Sequence, residues 1–177
     1  MKYLVLYSTR TGNTQMVAQA IQSALPAGAP CCNIKEGLPE NLAAYDCVFM
    51  GFWVDKGTAD DASKAVLAQL HNKTVAIFAT LGADPQSDHA KKSLENGAAL
   101  LPDGKKPLAM FICQGKVDPK LIEAMYKRFP ADNPHGRNPA SEARHKAAAS
   151  HPDAKDLQNA VAFAQEVRTE VELDGKP

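Results

Sequence analysis

The sequence contains little cysteine, and its four cysteines form neither a disulfide pattern nor a metal-binding pattern. Cys31 and Cys32 are adjacent, which is poor geometry for a bridge between them, and Cys47 and Cys113 stand alone. None of the spacings is that of a zinc site. We therefore expect buried free thiols and no metal, which excludes a disulfide-stabilised miniature fold and a zinc-binding module.

The chain also lacks an excess of charge of either sign, with 20 Lys and Arg against 20 Asp and Glu. A neutral chain offers no long-range field that would favour nucleic acid or a membrane surface as a partner. No apolar run reaches the ~18 residues needed to span a bilayer, and the sequence opens on a strand pattern rather than a signal peptide. We therefore expect a cytoplasmic protein with no nucleic-acid or membrane partner.

Short apolar runs alternate with amphipathic segments along the chain. Strands are predicted at residues 4–7, 31–34, 47–52, 73–80 and 107–113. Helices are predicted at residues 15–25, 58–70, 85–100 and 153–167, with Thr58 and Asp61 as a capping-box pair and Asn96-Gly97 as a potential break. This alternation predicts right-handed βαβ units, and so an α/β fold whose parallel sheet is covered by helices on both faces. At 177 residues the chain is expected to form a single domain, 1–177.

The turn from Ser8 to Thr14 connects the first predicted strand to the first predicted helix and is rich in hydroxyl groups. At a helix N-terminus, unpaired backbone N–H groups and the positive end of the helix dipole converge on one spot. Serine and threonine hydroxyls add further donors, so the turn is suited to hold a phosphate. The alternative is an ordinary turn that is capped by threonine.

Other phosphate-binding motifs do not fit this turn. Gly12 is its only glycine, which excludes the Gly-Lys-Ser/Thr of a Walker loop and the three spaced glycines of a dinucleotide fingerprint. Ser8-Thr9-Arg10 lacks the acidic pair with which a receiver domain binds magnesium. No cysteine is followed six residues later by arginine, as a related phosphatase would require.

Two further turns are expected at the same edge of the sheet, because ligands of open parallel sheets bind at the carboxyl ends of the strands. The turn after Phe52 offers Trp53, the only tryptophan in a chain with 6% aromatic residues. The turn from Thr80 to Asp84 has Gly82 at a position where backbone approaches something flat. Trp53 could instead be a core residue with a satisfied N–H group.

The order Thr9-x-Thr11-Gly12-x-Thr14 resembles the phosphate-binding loop of the flavodoxin family. The resemblance covers nearly the whole chain except about residues 116–150. It implies a flavodoxin-like three-layer sandwich with a five-stranded parallel sheet in the order 2-1-3-4-5, and FMN as the cofactor. Trp53 corresponds to the position that stacks on the isoalloxazine. The cofactor-binding residues that the resemblance implies are Ser8, Thr9, Arg10, Thr11, Gly12, Asn13, Thr14, Phe52, Trp53, Val54, Asp55, Thr80, Leu81, Gly82, Ala83 and Asp84.

The sequence departs from the family pattern in two of these loops. Many flavodoxins place a glycine soon after the stacking aromatic, whereas this chain has Val54-Asp55-Lys56-Gly57. The third loop offers Leu81 in place of a second aromatic residue. Two roles stay open: Arg10 either braces the phosphate or points to water, and Asp55 and Asp84 either accept hydrogen bonds from the flavin ring or cap helices.

Two functions are compatible with these residues. The first is an FMN-binding, flavodoxin-like electron-transfer protein, with no catalytic residue of its own, that delivers electrons to a dedicated reductase partner. The second is an FMN-dependent NAD(P)H:quinone-type oxidoreductase, which needs an additional pocket for a nicotinamide. Shuttle flavodoxins are strongly acidic, so the neutral charge of this chain argues against a shuttle with many partners.

Residues 116–150 are too many for the usual link of ~2–6 residues between a strand and a helix, so we expect an added element. Residues 118–129 predict an amphipathic helix whose apolar stripe buries against the domain, and residues 130–139 predict irregular structure because of their prolines. His135, His145 and His151 lack metal-ligand spacing and are expected to be solvated or to cap helices.

This region resembles that of flavodoxin-like proteins of anaerobic bacteria, including the type that partners bilirubin reductase. The resemblance implies a single reductase as the recipient of the electrons. The loop leaves the carboxyl end of the last predicted strand, so it starts on the side of the sheet where the flavin is expected. It is therefore either part of the docking surface for the partner or a passive surface loop.

Overall fold

A computed structural model describes residues 1–175, so the last two residues of the predicted domain lie outside the described residues. The strands in this range are β1 (Tyr3–Tyr7), β2 (Cys31–Asn33), β3 (Cys47–Asp55), β4 (Thr58–Ala59), β5 (Thr74–Leu81) and β6 (Met110–Gln114). The α-helices are α1 (Asn13–Ser23), α2 (Asp61–Leu67), α3 (Asp88–Ala98), α4 (Pro119–Arg128), α5 (Pro139–Ala148) and α6 (Ala154–Asp174).

Five of the strands form a parallel sheet in the order β2-β1-β3-β5-β6. This is the predicted order 2-1-3-4-5 once the two-residue strand β4 is set aside, so the predicted α/β fold is confirmed. β4 pairs with the end of β3 in an antiparallel hairpin. All carboxyl ends of the parallel strands therefore lie at one edge, where the predicted site turns are found.

Side chains alternate between two cores because successive residues of a strand point to opposite faces of the sheet. On one face, α1 and α6 pack over Val5, Phe49 and Phe78. On the other face, α2 and α3 pack over Leu6, Met50 and Phe52. Both faces are thus covered by helices, which is the arrangement that a fully buried parallel sheet requires.

The sequence prediction was wrong about the segment between β3 and α2. Thr58 does not cap a helix, because it pairs with Asp55 in the β3–β4 hairpin. The cap of α2 is Asp60, whose carboxylate accepts a hydrogen bond from the backbone N–H of Ser63. Strand β3 also continues through Trp53 to Asp55, beyond its apolar run, because β4 supplies a partner for its last residues.

Helix α3 is not broken at Asn96-Gly97 but continues to Ala98. Gly97 is buried, and a Cβ at this position would lie 2.6 Å from the ring carbon Cζ of Phe52. The glycine therefore permits close packing of the helix on the sheet and does not end the helix. The last helix, α6, is longer than the sequence predicted.

Residues 116–150, named here the α4–α5 insertion, contain one helix more than the sequence predicted. Helix α4 lies where it was expected, and its apolar stripe of Leu121, Ile122, Met125 and Phe129 is half-buried, not fully buried. Helix α5 begins with a capping box between Asn138 and Ser141, a signal that the prolines of this stretch obscured. The two helices also contact each other, as described below.

No helix within residues 1–175 is both long enough and apolar enough to cross a membrane. All four cysteines are free; Cys47 and Cys113 are buried, whereas Cys31 and Cys32 are only half-buried. Burial raises the pKa of Cys47 to about 12 and the pKa of Cys31 to about 11. These thiols therefore stay protonated and unreactive at neutral pH.

Candidate functional site

The first turn ends at Gly12, which has a φ of +89° and is the N-cap residue of α1. The left-handed conformation favours glycine and lets the chain enter the helix sharply. The first hydrogen bond of the helix runs from the N–H of Met16 to the carbonyl of Gly12 at 3.1 Å. The N–H groups of Asn13, Thr14 and Gln15 therefore have no acceptor within the helix and are available to an anion at its N-terminus.

Side chains of the turn hold it in this shape before any ligand binds. The hydroxyl of Thr9 accepts a hydrogen bond from the N–H of Gly12 at 3.0 Å, and the hydroxyl of Thr11 accepts one from the side-chain amide of Asn13 at 3.0 Å. Both hydroxyls act as acceptors in these bonds, so each keeps its own hydrogen for donation to a ligand. Thr11 is also exposed.

Two other hydroxyls of the turn point into the protein. Ser8 is buried, and its Oγ donates to Oδ1 of Asp60 at 2.9 Å. Thr14 is buried too, and its Oγ1 lies 2.9 Å from Oγ1 of Thr80. Ser8 thus attaches the turn to α2, and Thr14 attaches the start of α1 to β5.

Arg10 is exposed to solvent, so the two alternatives that the sequence left open, a brace for the phosphate and a side chain in water, both remain. Its guanidinium carbon is 5.5 Å from the centroid of the Trp53 ring, which is a cation–π contact. Trp53 is half-buried within β3, so it is not the residue after a strand end that the sequence predicted. Its indole Nε1 is buried and has no hydrogen-bond partner among the described residues, so it is not a core tryptophan with a satisfied N–H.

The second predicted turn is a tight hairpin between β3 and β4. Its central residues, Lys56 and Gly57, have φ values of +49° and +77°, the sign pattern of the type I′ turn that closes two-residue hairpins. Asn96 of α3 donates to the carbonyl of Gly57 at 2.8 Å, which fixes the tip. Asp55 is not the N-cap of any described α-helix; its backbone pairs with Thr58, and the cap of the following helix α2 is Asp60.

Phe52 and Val54 precede this tip. Phe52 is fully buried in the core under α2 and α3, so that only its backbone belongs to the edge of the sheet. Val54 is half-buried and pairs with Ala59.

The third predicted turn is shaped by contacts from outside it. Leu81 is buried as the last residue of β5, and the half-buried Ala83 follows it. Gly82 does approach another group closely, since a Cβ there would collide with the side chain of Val117. Asp84 caps the next turn, because its Oδ1 accepts a hydrogen bond from the N–H of Gln86 at 2.8 Å.

The structure brings the first and third turns together and adds residues that the sequence did not single out. Asn13 donates to the carbonyl of Lys116 at 2.8 Å, next to the contact between Val117 and Gly82. Lys35, which follows β2, donates to the carbonyl of Thr9 at 3.2 Å. No local pattern marks these residues; they reach the site because the strands that precede them end at the same edge of the sheet.

His151, Asp153 and Asp156 form a group of potential ligand atoms that lie within 4.8 Å of one another. Their contacts are those of a helix cap: Asp153 and Asp156 form the capping box of α6. His151 Nδ1 lies 2.5 Å from Oδ2 of Asp156. The backbone N–H of Asp156 that bonds to Asp153 lowers the pKa of that carboxyl. His151 thus contacts a side chain of the capping box, whereas Asp153 is the N-cap of α6.

The site is suited to a ligand with an anionic group at one end and a flat ring at the other. The free N–H groups of α1 and the hydroxyls of Thr9 and Thr11 suit the anion. The half-buried indole of Trp53 offers an aromatic surface on which a flat ring can stack. An FMN molecule has both of these parts, so the residues present fit it.

Comparison with known proteins agrees with this geometry. Residues 4–165 match the family described as Flavodoxin domain. A flavodoxin-like domain-containing protein named BilS from Clostridioides difficile is 36% identical over 170 residues, covering 93% of this chain and 95% of that protein. The BilS of Clostridium symbiosum is 30% identical over 173 residues, covering 89% of this chain and 90% of that protein.

Solved structures show the same fold at low sequence identity. A WrbA-like flavodoxin from Agrobacterium tumefaciens has a TM-score of 0.59 at 16% identity and covers 97% of this chain and 98% of its own. Flavodoxin 1 of Bacillus cereus has a TM-score of 0.54 at 14% identity, with coverage of 96% and 98%. The family assignment supports FMN as the cofactor. On its sequence match, its sheet order and its phosphate-type turn, this chain belongs to the flavodoxin family.

Proposed function

We propose that this chain is an FMN-binding electron-transfer protein of the cytoplasm that passes electrons to one dedicated redox partner. The observation that carries the proposal is the turn at the start of α1, with its free N–H groups and preorganised hydroxyls. The relatives named BilS are called flavodoxin-like, which supports a redox role. We treat residues 1–177 as one domain with the α4–α5 insertion as an added element.

The phosphate of FMN would be held by the N–H groups of Asn13 and Thr14 and the hydroxyls of Thr9 and Thr11. Each hydrogen bond to a charged acceptor contributes roughly 1.5–3 kcal/mol, so a few of them suffice to fix this end of the cofactor. Ser8 contributes indirectly, by holding the turn against Asp60. Arg10 adds positive charge at the mouth of the same turn.

The ring of FMN would lie against the side chain of Trp53. Such a stack contributes about 0.5–1.5 kcal/mol beyond the area that it buries. Backbone of the hairpin from Phe52 to Asp55 and of the turn from Thr80 to Asp84 would line the rest of the ring, with Leu81 buried below. These segments exclude water from the ring and orient it, and the flavin when bound supplies the electron-transfer chemistry.

The predicted site segments offer few groups for acid–base catalysis. Asp84 is occupied as a turn cap and Asp55 belongs to the hairpin. A carrier needs only a bound flavin with one exposed edge, whereas an NAD(P)H:quinone-type oxidoreductase also needs a nicotinamide pocket. We therefore favour the carrier over the oxidoreductase.

The visible spectrum of the purified protein tests this proposal. We expect flavin absorption and stoichiometric release of FMN, not FAD, on acid treatment. Titration of the cofactor-free protein with FMN and with FAD provides the comparison, because no glycine fingerprint is present for a pyrophosphate. A colourless protein that takes up no FMN would refute the proposal, and steady oxidation of NAD(P)H with a quinone would favour the oxidoreductase.

A further inference from the structure

The charges of this neutral chain are divided unevenly between the α4–α5 insertion and the rest. Residues 116–150 carry seven Lys and Arg but only four Asp and Glu, whereas the remaining residues carry 13 and 16. The insertion therefore has a net charge of +3 and the remainder −3. A partner that approaches within a Debye length, about 8 Å at physiological salt, senses this local charge and not the zero total.

Most of the acidic residues of the insertion are already used within it. Glu123 pairs with Lys127 at 2.7 Å, and Glu142 pairs with Arg137 at 3.2 Å. Asp118 caps α4, because its carboxylate accepts a hydrogen bond from the backbone N–H of Lys120. Within residues 1–175, five basic side chains of the insertion have no carboxylate at ion-pair distance: Lys116, Lys120, Arg128, Arg144 and Lys146.

Both ends of the insertion are attached beside the candidate flavin site. At its start, the carbonyl of Lys116 accepts a hydrogen bond from Asn13 of the first turn, and Val117 covers Gly82 of the third turn. The N–H of Lys116 donates to the carbonyl of His151 at 2.8 Å, which joins the start of the insertion to the residues just after its end. The insertion thus leaves and rejoins the domain at the carboxyl edge of the sheet.

The two helices of the insertion support each other. Tyr126 of α4 places its hydroxyl 2.9 Å from Nδ1 of His145 in α5, and Ser141 donates to the same hydroxyl at 3.3 Å. The guanidinium of Arg137 lies 5.2 Å from the Tyr126 ring. These contacts hold helix α4, which carries the exposed basic side chains Lys120 and Arg128.

We propose that the α4–α5 insertion is the docking surface for the redox partner, and that this partner is a protein with carboxylates around its electron-accepting group. The proposal rests on the proposed function, because it names the partner of the same flavin site. Complementary charges around the exit point of the electron steer the encounter and suppress wrong partners. A redox protein is favoured over a polyanion because the insertion that carries the basic residues is attached beside the candidate flavin site, while the rest of the chain is net negative.

A single probe protein, prepared in a basic and in an acidic form, tests whether the docking surface prefers an acidic partner. Mitochondrial cytochrome c is basic, and succinylation of its lysines makes the same protein acidic. We expect the reduced, FMN-loaded protein to reduce the succinylated cytochrome at least 10-fold faster than the native one at 20 mM NaCl. This preference should fall toward unity at 500 mM NaCl, where the Debye length is only a few ångströms.

Two double variants with the same change of net charge locate the surface. Lys120→Glu with Arg128→Glu reverses charge on α4, while Lys2→Glu with Lys106→Glu reverses charge at the exposed amino-terminal edge of the sheet. The α4 variant should lose the preference for the acidic cytochrome, and the matched control should keep it. An equal effect of both variants, or a preference for native cytochrome in the unaltered protein, would overturn the proposal.

A binding measurement separates this proposal from the proposed function. FMN titration of both variants reports the cofactor site, and calorimetric titration of the cofactor-free protein with each cytochrome reports docking alone. A chain that binds no FMN refutes the electron carrier, yet binding of acidic cytochrome that depends on Lys120 and Arg128 still supports the docking surface. Absence of that binding, or tighter binding to phosphatidylserine vesicles or duplex RNA, overturns the docking proposal.

Discussion

Replacing Asp60 with alanine should destabilise the domain, because this carboxylate connects the first turn of the site to helix α2. Asp60 is only 3% exposed. It accepts hydrogen bonds from Oγ of Ser8 at 2.9 Å, and from the N–H and Oγ of Ser63 at 3.3 Å and 2.7 Å. The substitution removes all three bonds and leaves two buried hydroxyls without an acceptor.

The magnitude follows from two separable losses. Removal of an N-cap costs about 1 kcal/mol, within a range of about 0.5–2. A buried hydroxyl without a partner costs about 1–3 kcal/mol, and Ser8 is fully buried. We therefore expect Asp60→Ala to lower the free energy of unfolding by about 2–4 kcal/mol. Urea unfolding followed by far-ultraviolet circular dichroism measures this quantity.

Companion variants separate the two losses. Asp60→Asn keeps an N-cap and an acceptor, so it should be less destabilising than Asp60→Ala. Adding Ser8→Ala to Asp60→Ala removes one of the buried hydroxyls and should recover about 1 kcal/mol or more. Asp61→Ala, which removes the neighbouring exposed carboxylate, is the surface control. A loss below about 0.5 kcal/mol for Asp60→Ala, the size of an ordinary surface substitution, would refute the reasoning.

Three further predictions concern the cofactor site and the insertion. Thr11→Val removes one hydroxyl donor to the phosphate, so FMN affinity measured by titration should fall about 10- to 150-fold, and an unchanged affinity would exclude that contact. Emission of the single tryptophan, Trp53, should be quenched by FMN, and Arg10→Ala should alter its emission in the cofactor-free protein; no change in either measurement would contradict the assigned contacts. Burial and Arg144 lower the pKa of His145 below its usual value of 6.5, so the unfolded chain takes up this proton first as the pH falls. The stability of the α4–α5 insertion, measured by hydrogen exchange, should therefore decrease as the pH is lowered through about 6.5, and His145→Gln should remove that dependence.

The sequence alone was enough to predict the strands inside the sheet, but not the structure at the carboxyl edge of the sheet. Runs such as Cys47–Phe52 are buried on both faces of the sheet, so their apolar pattern is enough to predict parallel strands. The apolar pattern did not predict that β3 continues through Trp53, Val54 and Asp55. These residues form strand only because Thr58 and Ala59 pair with them across the turn at Lys56-Gly57.

The flavin site shows the same division. The sequence of the turn from Thr9 to Thr14 predicted its position at a helix N-terminus, since that depends on adjacent residues alone. The partners of its hydroxyls could not be predicted, because Ser8 and Asp60 are 52 residues apart and Thr14 and Thr80 are 66 apart. The contact of Arg10 with Trp53 likewise joins two turns that only the sheet order brings together.

The order of the strands in the sheet was implied by the resemblance to the flavodoxin family and by no local pattern. The sequence by itself determined the class of fold, the parallel sheet and the turn that begins α1. It determined them because hydrophobic periodicity and turn chemistry are local properties that each segment carries without its neighbours. Only the tertiary structure decided that Phe52 is a core residue, that Val117 covers Gly82, and that Tyr126 of α4 contacts His145 of α5. Those outcomes depend on which surfaces meet after the strands align, and an amphipathic pattern specifies that a helix face packs but not what it packs against.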